Sequence, residues 1–159
     1  MPSAKKTAQS SPRPQEATAL LRADHKKVSA LFADFKKARS ANRKKLIVAQ
    51  ICTELTVHAQ IEEEIFYPAV KAALKDHELV PEANVEHQSV KDLIAQVKDV
   101  EPDGEMYDAR IQVMGEFVKH HVKEEQNEMF PRAKKTKLDM MALGERMAER
   151  KAQLLASMG

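Results

Sequence analysis

Two stretches of this chain carry one pattern. The first runs Val57-His58-Ala59-Gln60-Ile61-Glu62-Glu63-Glu64-Ile65-Phe66-Tyr67-Pro68. The second runs His120-His121-Val122-Lys123-Glu124-Glu125-Gln126-Asn127-Glu128-Met129-Phe130-Pro131. In each, a histidine stands ten residues before a proline and a glutamate stands six before it. Positions i and i+4 share one face of a helix, about 6 Å apart along its axis. Each copy therefore aims one imidazole and one carboxylate the same way. The chain is limited to folds in which two such helices can face each other.

The apolar periodicity supplies those helices. Leu21, His25, Val28, Phe32 and Phe35, widened by Leu20 and Leu31, predict a helix from about Gln15 to Arg39. Asn42 is the expected N-cap of the next. Ile47, Ile51, Leu55, His58, Glu62, Ile65 and Phe66 then predict a helix from Arg43 past Tyr67, with a kink or break at Pro68. After the polar connection Lys75-Asp76-His77-Glu78, a third helix is expected from Pro81, with Ala83, His87, Val90, Ile94 and Val97 inward. Glu101-Pro102-Asp103-Gly104 has turn chemistry. Met114, Val118, His121, Glu125 and Met129, widened by Ile111 and Phe117, predict a fourth helix over 106–130. A fifth, over 138–156, offers Leu138, Met141, Leu143, Met147, Leu154 and Leu155 for docking. The expected fold is all-α: an up-down-up-down four-helix bundle with a C-terminal accessory helix. Residues 1–14, rich in Ser, Lys and Pro, are expected to be a disordered arm, residues 15–132 the bundle, and 133–159 a basic linker and last helix.

Composition agrees with helices and excludes several functions. The chain has 159 residues, 43% hydrophobic and 31% charged, with four glycines and no tryptophan. Its 26 basic and 24 acidic side chains nearly cancel, so no net field draws nucleic acid or an anionic membrane. A single cysteine, Cys52, leaves no internal disulfide and no cysteine-based zinc site. With no apolar leader and no window suited to a membrane span, a soluble, cytoplasmic protein is expected. Nothing in the sequence sets an oligomeric state, and a monomer is the simplest expectation.

Four predicted helices each place a histidine within an apolar stripe: His25, His58, His87 and His121. The first pair is 33 residues apart and the second 34. The chain thus reads as two similar hairpins, each with His on its first helix and His-x-x-x-Glu on its second. A buried carboxylate is costly without a positive partner, and no lysine or arginine lies on these stripes. Metal ions would supply the charge. Four imidazoles with Glu62 and Glu125 suit two ions about 3.5 Å apart, both carboxylates bridging. Iron fits this mixture best; spacing alone does not separate it from zinc.

The pattern His25 … His58-x-x-x-Glu62 … His87 … His121-x-x-x-Glu125 resembles the hemerythrin-like HHE cation-binding family. Leu21-Arg22-Ala23-Asp24-His25, Glu62 to Pro68, Glu86-His87 and His121 to Glu125 match the family's local contexts, and the resemblance covers about residues 16–132. It implies a non-haem di-iron centre with a bridging oxo or hydroxo group, held by those six residues. Its members bind oxygen reversibly, sense oxygen or iron, or handle peroxide and nitric oxide. The oxygen carriers use five histidines, whereas four stand in register in this chain. That leaves one iron more open to small ligands and favours redox sensing or peroxide chemistry. The expected function is binding or sensing of oxygen, peroxide or nitric oxide in a redox or stress response. The alternatives are a di-iron enzyme with catalase-like or peroxidase activity and a metal-free helical interaction module.

Other residues read more plainly. The proline alignment selects His121 over His120. His77 falls in a connection and should be solvated. Glu63, Glu64, Glu124 and Glu128 read as surface residues, with contacts to the backs of ligand imidazoles open to them. Cys52 reads as core. For Tyr67 packing is the expected role, with a hydrogen-bonding or redox one as the alternative.

Overall fold

The computed structural model of this chain describes residues 13–158; most of the arm expected over 1–14 lies outside them. The described chain is all-α: a four-helix bundle with an accessory C-terminal helix. Its helices are α1 (Ala17–Lys37), α2 (Ala41–Ile61), α3 (Tyr67–Leu74), α4 (Leu79–Val97), α5 (Glu105–Glu124), α6 (Phe130–Lys134) and α7 (Met140–Met158). Among the described residues no helix is long and apolar enough to cross a membrane.

Local chemistry sets the ends. The Glu16 carboxylate accepts from the backbone N–H groups of Thr18 and Ala19, at 2.8 and 3.1 Å, and starts α1. Ser40, not the expected Asn42, caps α2, its Oγ accepting from Arg43 N at 3.1 Å. Ser40 has the extended backbone that an N-cap requires, whereas Asn42 is already helical. The third long helix starts at Leu79, two residues before Pro81, because Asp76 accepts from Leu79 N and Val80 N at 3.0 and 2.8 Å.

Neither proline breaks its helix. A π turn, Glu62–Phe66, joins α2 to α3, and a second, Glu125–Met129, joins α5 to α6. In a regular helix Pro68 would collide with the Glu64 carbonyl and leave a carbonyl without a donor. The wider turn absorbs the misfit: Tyr67 N–H donates to Glu62 O, and Phe130 N–H to Glu125 O. Each π turn begins on the glutamate of its repeat.

The core has two parts. Leu20, Leu21, Ile61, Phe66, Val80, Phe130 and Met147 belong to one; Val28, Phe35, Ile51, Ile94, Ile111 and Met114 belong to the other. Along each long bundle helix, taken together with its continuation through any π turn, the histidine falls between residues of these two clusters. Phe117 and Met141, expected inside, are 45% and 44% exposed. Both lie at the margin of their stripes, where no neighbouring helix covers them. Helix α7 packs along α1, α2 and the first π turn. A Cβ on Gly144 would stand 2.0 Å from Gln15 O, so only glycine permits this approach.

Candidate metal centre

The six histidines and glutamates converge in two groups. His25, His58, Glu62 and Glu125 bring donor atoms within 4.8 Å of one another, and so do Glu62, His87, His121 and Glu125. The glutamates belong to both groups. Glu62 Oε1 lies 3.2 Å from His58 Nε2 and 3.1 Å from His87 Nε2. Glu125 Oε1 is 3.0 Å from His25 Nε2, and its Oε2 is 3.2 Å from His121 Nε2. Each carboxylate therefore faces one imidazole of each half. The ring pairs repeat the symmetry: His25 and His58 centroids are 4.9 Å apart, His87 and His121 4.8 Å, both at 61°.

Every imidazole is held from behind. His25 Nδ1 pairs with Gln126 Oε1 at 2.8 Å and His58 Nδ1 with Asp24 Oδ2 at 2.9 Å. His87 Nδ1 pairs with Glu63 Oε2 and His121 Nδ1 with Glu86 Oε1, each at 2.7 Å. These acceptors keep a proton on Nδ1 and turn Nε2 inward. The rule is internal to the repeat. The residue before His25 serves His58, and the residue before His87 serves His121. The residue after Glu62 serves His87, and the residue after Glu125 serves His25.

The middle of the cluster leaves polar atoms unpartnered. His25 Nε2, His58 Nε2, Glu62 Oε2 and Glu125 Oε1 are buried without a hydrogen-bond partner. Some of these atoms are close to one another, but not in hydrogen-bonding alignment. Buried polar atoms are nearly always partnered, and Glu62 and Glu125 are 0% and 2% exposed. Imidazole and bridging carboxylate donors of this kind fit two cations. Without a metal, protons take that role. Burial opposes charge on His58, but Glu62 and Asp24 hold it up to about 10. Burial also opposes charge on His121, yet hydrogen bonds to Glu125, Glu62 and Glu86 hold it up to about 12. Burial pushes the Glu62 carboxyl up, but His58 and the hydrogen-bonding neighbours Glu125 and His121 keep it well below its usual range.

For Tyr67 the structure shows the hydrogen-bonding alternative rather than packing alone, and Lys151 is a further contact that the sequence reading did not name. The Tyr67 hydroxyl donates to Glu125 Oε2 at 2.5 Å. The phenol oxygen of Tyr67 lies 3.2 Å from Glu62 Oε1 and 3.1 Å from both His87 Nε2 and His121 Nε2. It thus faces all four donors of the second group and could join them around a cation. Burial and the Glu125 and Glu62 charges push the phenol well above its ordinary range. Helical periodicity hid this, because a residue five places after Glu62 falls about 140° away on an α-helix. The π turn brings it back to the same face. Lys151 Nζ lies 2.6 Å from Asp24 Oδ1, on the carboxylate that supports His58. No stripe on the bundle helices carries it, since it comes from α7.

The remaining candidates lie outside. His120 is 68% exposed and belongs to neither four-donor group. His77 is exposed, and Cys52 is buried in the second core. Glu64 pairs with Arg150 at 2.8 Å. A cavity of about 130 Å³ borders all four imidazoles, with Val28, Leu55, Val90, Ile94 and Val118 among its other walls. Tyr67, Glu62 and Glu125 do not line it.

A helical bundle enclosing this histidine–glutamate cluster has the make-up of a cation-binding protein. The model of the hemerythrin HHE cation-binding domain matches residues 16–133, and the chain belongs to that family. A DNA nickase of Nostoc is 29% identical over 111 residues, 70% of this chain but only 31% of that protein. The chain therefore spans about a third of that relative. The uncharacterised protein Rv2633c of Mycobacterium tuberculosis is 26% identical over 121 residues, 74% of this chain and 73% of that one. The crystal structure of its homologue from Mycobacterium kansasii, an HHE cation-binding domain-containing protein, superposes with a TM-score of 0.77 at 26% identity. The match covers 90% of this chain and 89% of that one.

Proposed function

We propose that the chain is a di-iron protein that binds small oxidants and acts in redox or stress response. His25, His58, His87 and His121 would hold two iron ions, with Glu62 and Glu125 shared between them. The observation that carries this reading is the pair of four-donor groups with common carboxylates beside an apolar-walled cavity. Iron would supply an electron-rich, redox-active binding position. The protein's own residues do the rest. Asp24, Glu63, Glu86 and Gln126 fix the imidazoles, and the valine and isoleucine walls exclude bulk water. A cavity of this size and lining admits an apolar diatomic more readily than a strongly hydrated solute. Dioxygen or nitric oxide is therefore the favoured ligand class.

The test is elemental analysis with optical spectroscopy of protein from iron-replete cells. About two irons per chain, falling in His58→Ala, are expected; protein without iron would sink the reading.

Tyr67 favours a second reading, turnover of peroxide. Its O–H is a proton source beside the second group. In that case Tyr67→Phe, compared at equal iron content, should decompose peroxide more slowly than the parent chain. Equal rates would remove the tyrosine from the reaction.

A further inference from the structure

One cluster of donors lies at the surface and shares only Glu86 with the buried centre. Glu86 on α4 and His120 and Glu124 on α5 bring ligand atoms within 4.8 Å of one another at the surface. His120 Nε2 lies 2.6 Å from Glu124 Oε1 and 3.7 Å from Glu86 Oε2. The other oxygen of Glu86 is the one that holds His121. Glu82, Glu86 and Glu124 also line a narrow cleft whose walls include His121 and Glu125. Its inner wall thus carries buried Glu125, whose Oε2 lies 3.2 Å from His121 Nε2.

The internal symmetry shows what belongs beside Glu86. Its counterpart is Asp24, since each precedes the histidine of its hairpin and each supports the histidine of the other helix. Asp24 holds His58 with one oxygen and the Lys151 ammonium with the other. The first half therefore carries a cation, supplied by α7, at the outer oxygen of its supporting carboxylate. In the second half, among the described residues, no lysine or arginine pairs with Glu86 or Glu124. The positions matching Glu82, His120 and Glu124 are Leu20, Val57 and Ile61, all buried in the core that also contains α7 residues. Where α7 covers the bundle these places are apolar, and where it does not they are metal-binding residue types.

We infer that Glu86, His120 and Glu124 form a third, exchangeable site for a divalent metal ion, which feeds the buried pair through the cleft. One imidazole and two carboxylates, open to solvent, suit a borderline or hard divalent ion that keeps several waters. Weak binding is what a loading site requires, because an ion must leave it inward. The feeding role rests on the buried cluster being a metal centre; the site itself does not.

The experiment uses the full chain stripped with chelator and titrated with Zn(II) by calorimetry. Filling with Fe(II) is followed anaerobically by stopped flow. The wild type should take up two ions tightly and a third weakly. His120→Ala and Glu124→Gln should each lose the weak ion, keep the tight pair and fill more slowly, with unchanged melting. His58→Ala should lose tight binding yet retain the weak ion. A wild type with only two ions, or a weak ion surviving in both surface variants, overturns the site. Unchanged filling rates in those variants overturn the feeding role. A wild type that binds only the weak ion would overturn the buried centre and leave this site standing.

Discussion

The two halves of the centre share one ground plan and differ in what stands around it. Around His25 and His58 the supports are one amide, Gln126, and one carboxylate, Asp24, whose charge Lys151 offsets. Phe130 lies parallel to the His25 ring at 6.0 Å. Around His87 and His121 both supports are carboxylates, Glu63 and Glu86, and Tyr67 occupies the place in the repeat that Phe130 has in the other. The second half is therefore the more anionic and carries an extra oxygen donor. A duplicated hairpin can thus make two inequivalent cation positions from four identical imidazoles, by varying neighbours that need not touch the ion.

The strongest test of this contrast removes what the halves share. Glu62→Ala and Glu125→Ala should each empty both positions, because each carboxylate faces an imidazole of both. Glu63→Ala should weaken only the second half, by about 10- to 100-fold in affinity. Metal analysis of dialysed protein separates the cases, and equal losses in all three would end the idea of shared carboxylates.

Lys151→Met should act on the first half alone. It leaves Asp24 with one partner and should cost about 1–2 kcal/mol of stability, a range reduced for a lysine partly open to water. Lys91→Met, which removes a more exposed ion pair to Glu63, should cost about 0–1 kcal/mol. Chemical denaturation measures both, and a larger loss for Lys91 would reverse the ranking of the two supports.

Acidity sharpens the contrast further. Both His58 and His121 titrate above the unfolded value of 6.5 in the metal-free chain. Their contribution to stability is therefore complete below 6.5. It is lost as pH rises through about 10 for His58 and about 12 for His121. Metal-free protein should melt progressively lower as pH is raised from 6.5 to 10. At neutral pH metal uptake should release protons from both imidazoles. Calorimetry in buffers of different ionisation enthalpy counts them. A metal-free melting temperature that climbs over that interval would contradict the assignment.

The smallest effect is expected from Phe130→Tyr, which gives the first half a phenol like that of the second. Metal content should stay constant while the optical spectra of the two positions become more alike. A spectrum identical to the parent's would mean that the aromatic position does not distinguish the halves.

Much of this centre was legible from spacing. The faces of His25, His58, His87 and His121 and of both glutamates follow from i, i+3 and i+4 recurrence, which depends only on the local geometry of a helix. The hydrogen-bonding role of Tyr67 was only the alternative reading, because one π turn shifts the phase by a residue and no local pattern announces it. The capping serine was misassigned for a related reason: Ser40 and Asn42 are both good caps, and the backbone conformation decides between them.

What the sequence determined by itself was the set of inward faces, since periodicity is a property of each helix alone. Tertiary structure decided which carboxylate stands behind which imidazole, where the tyrosine oxygen lands and that Lys151 reaches Asp24. Those contacts join residues far apart in the chain, and only the packed bundle sets the distances between them.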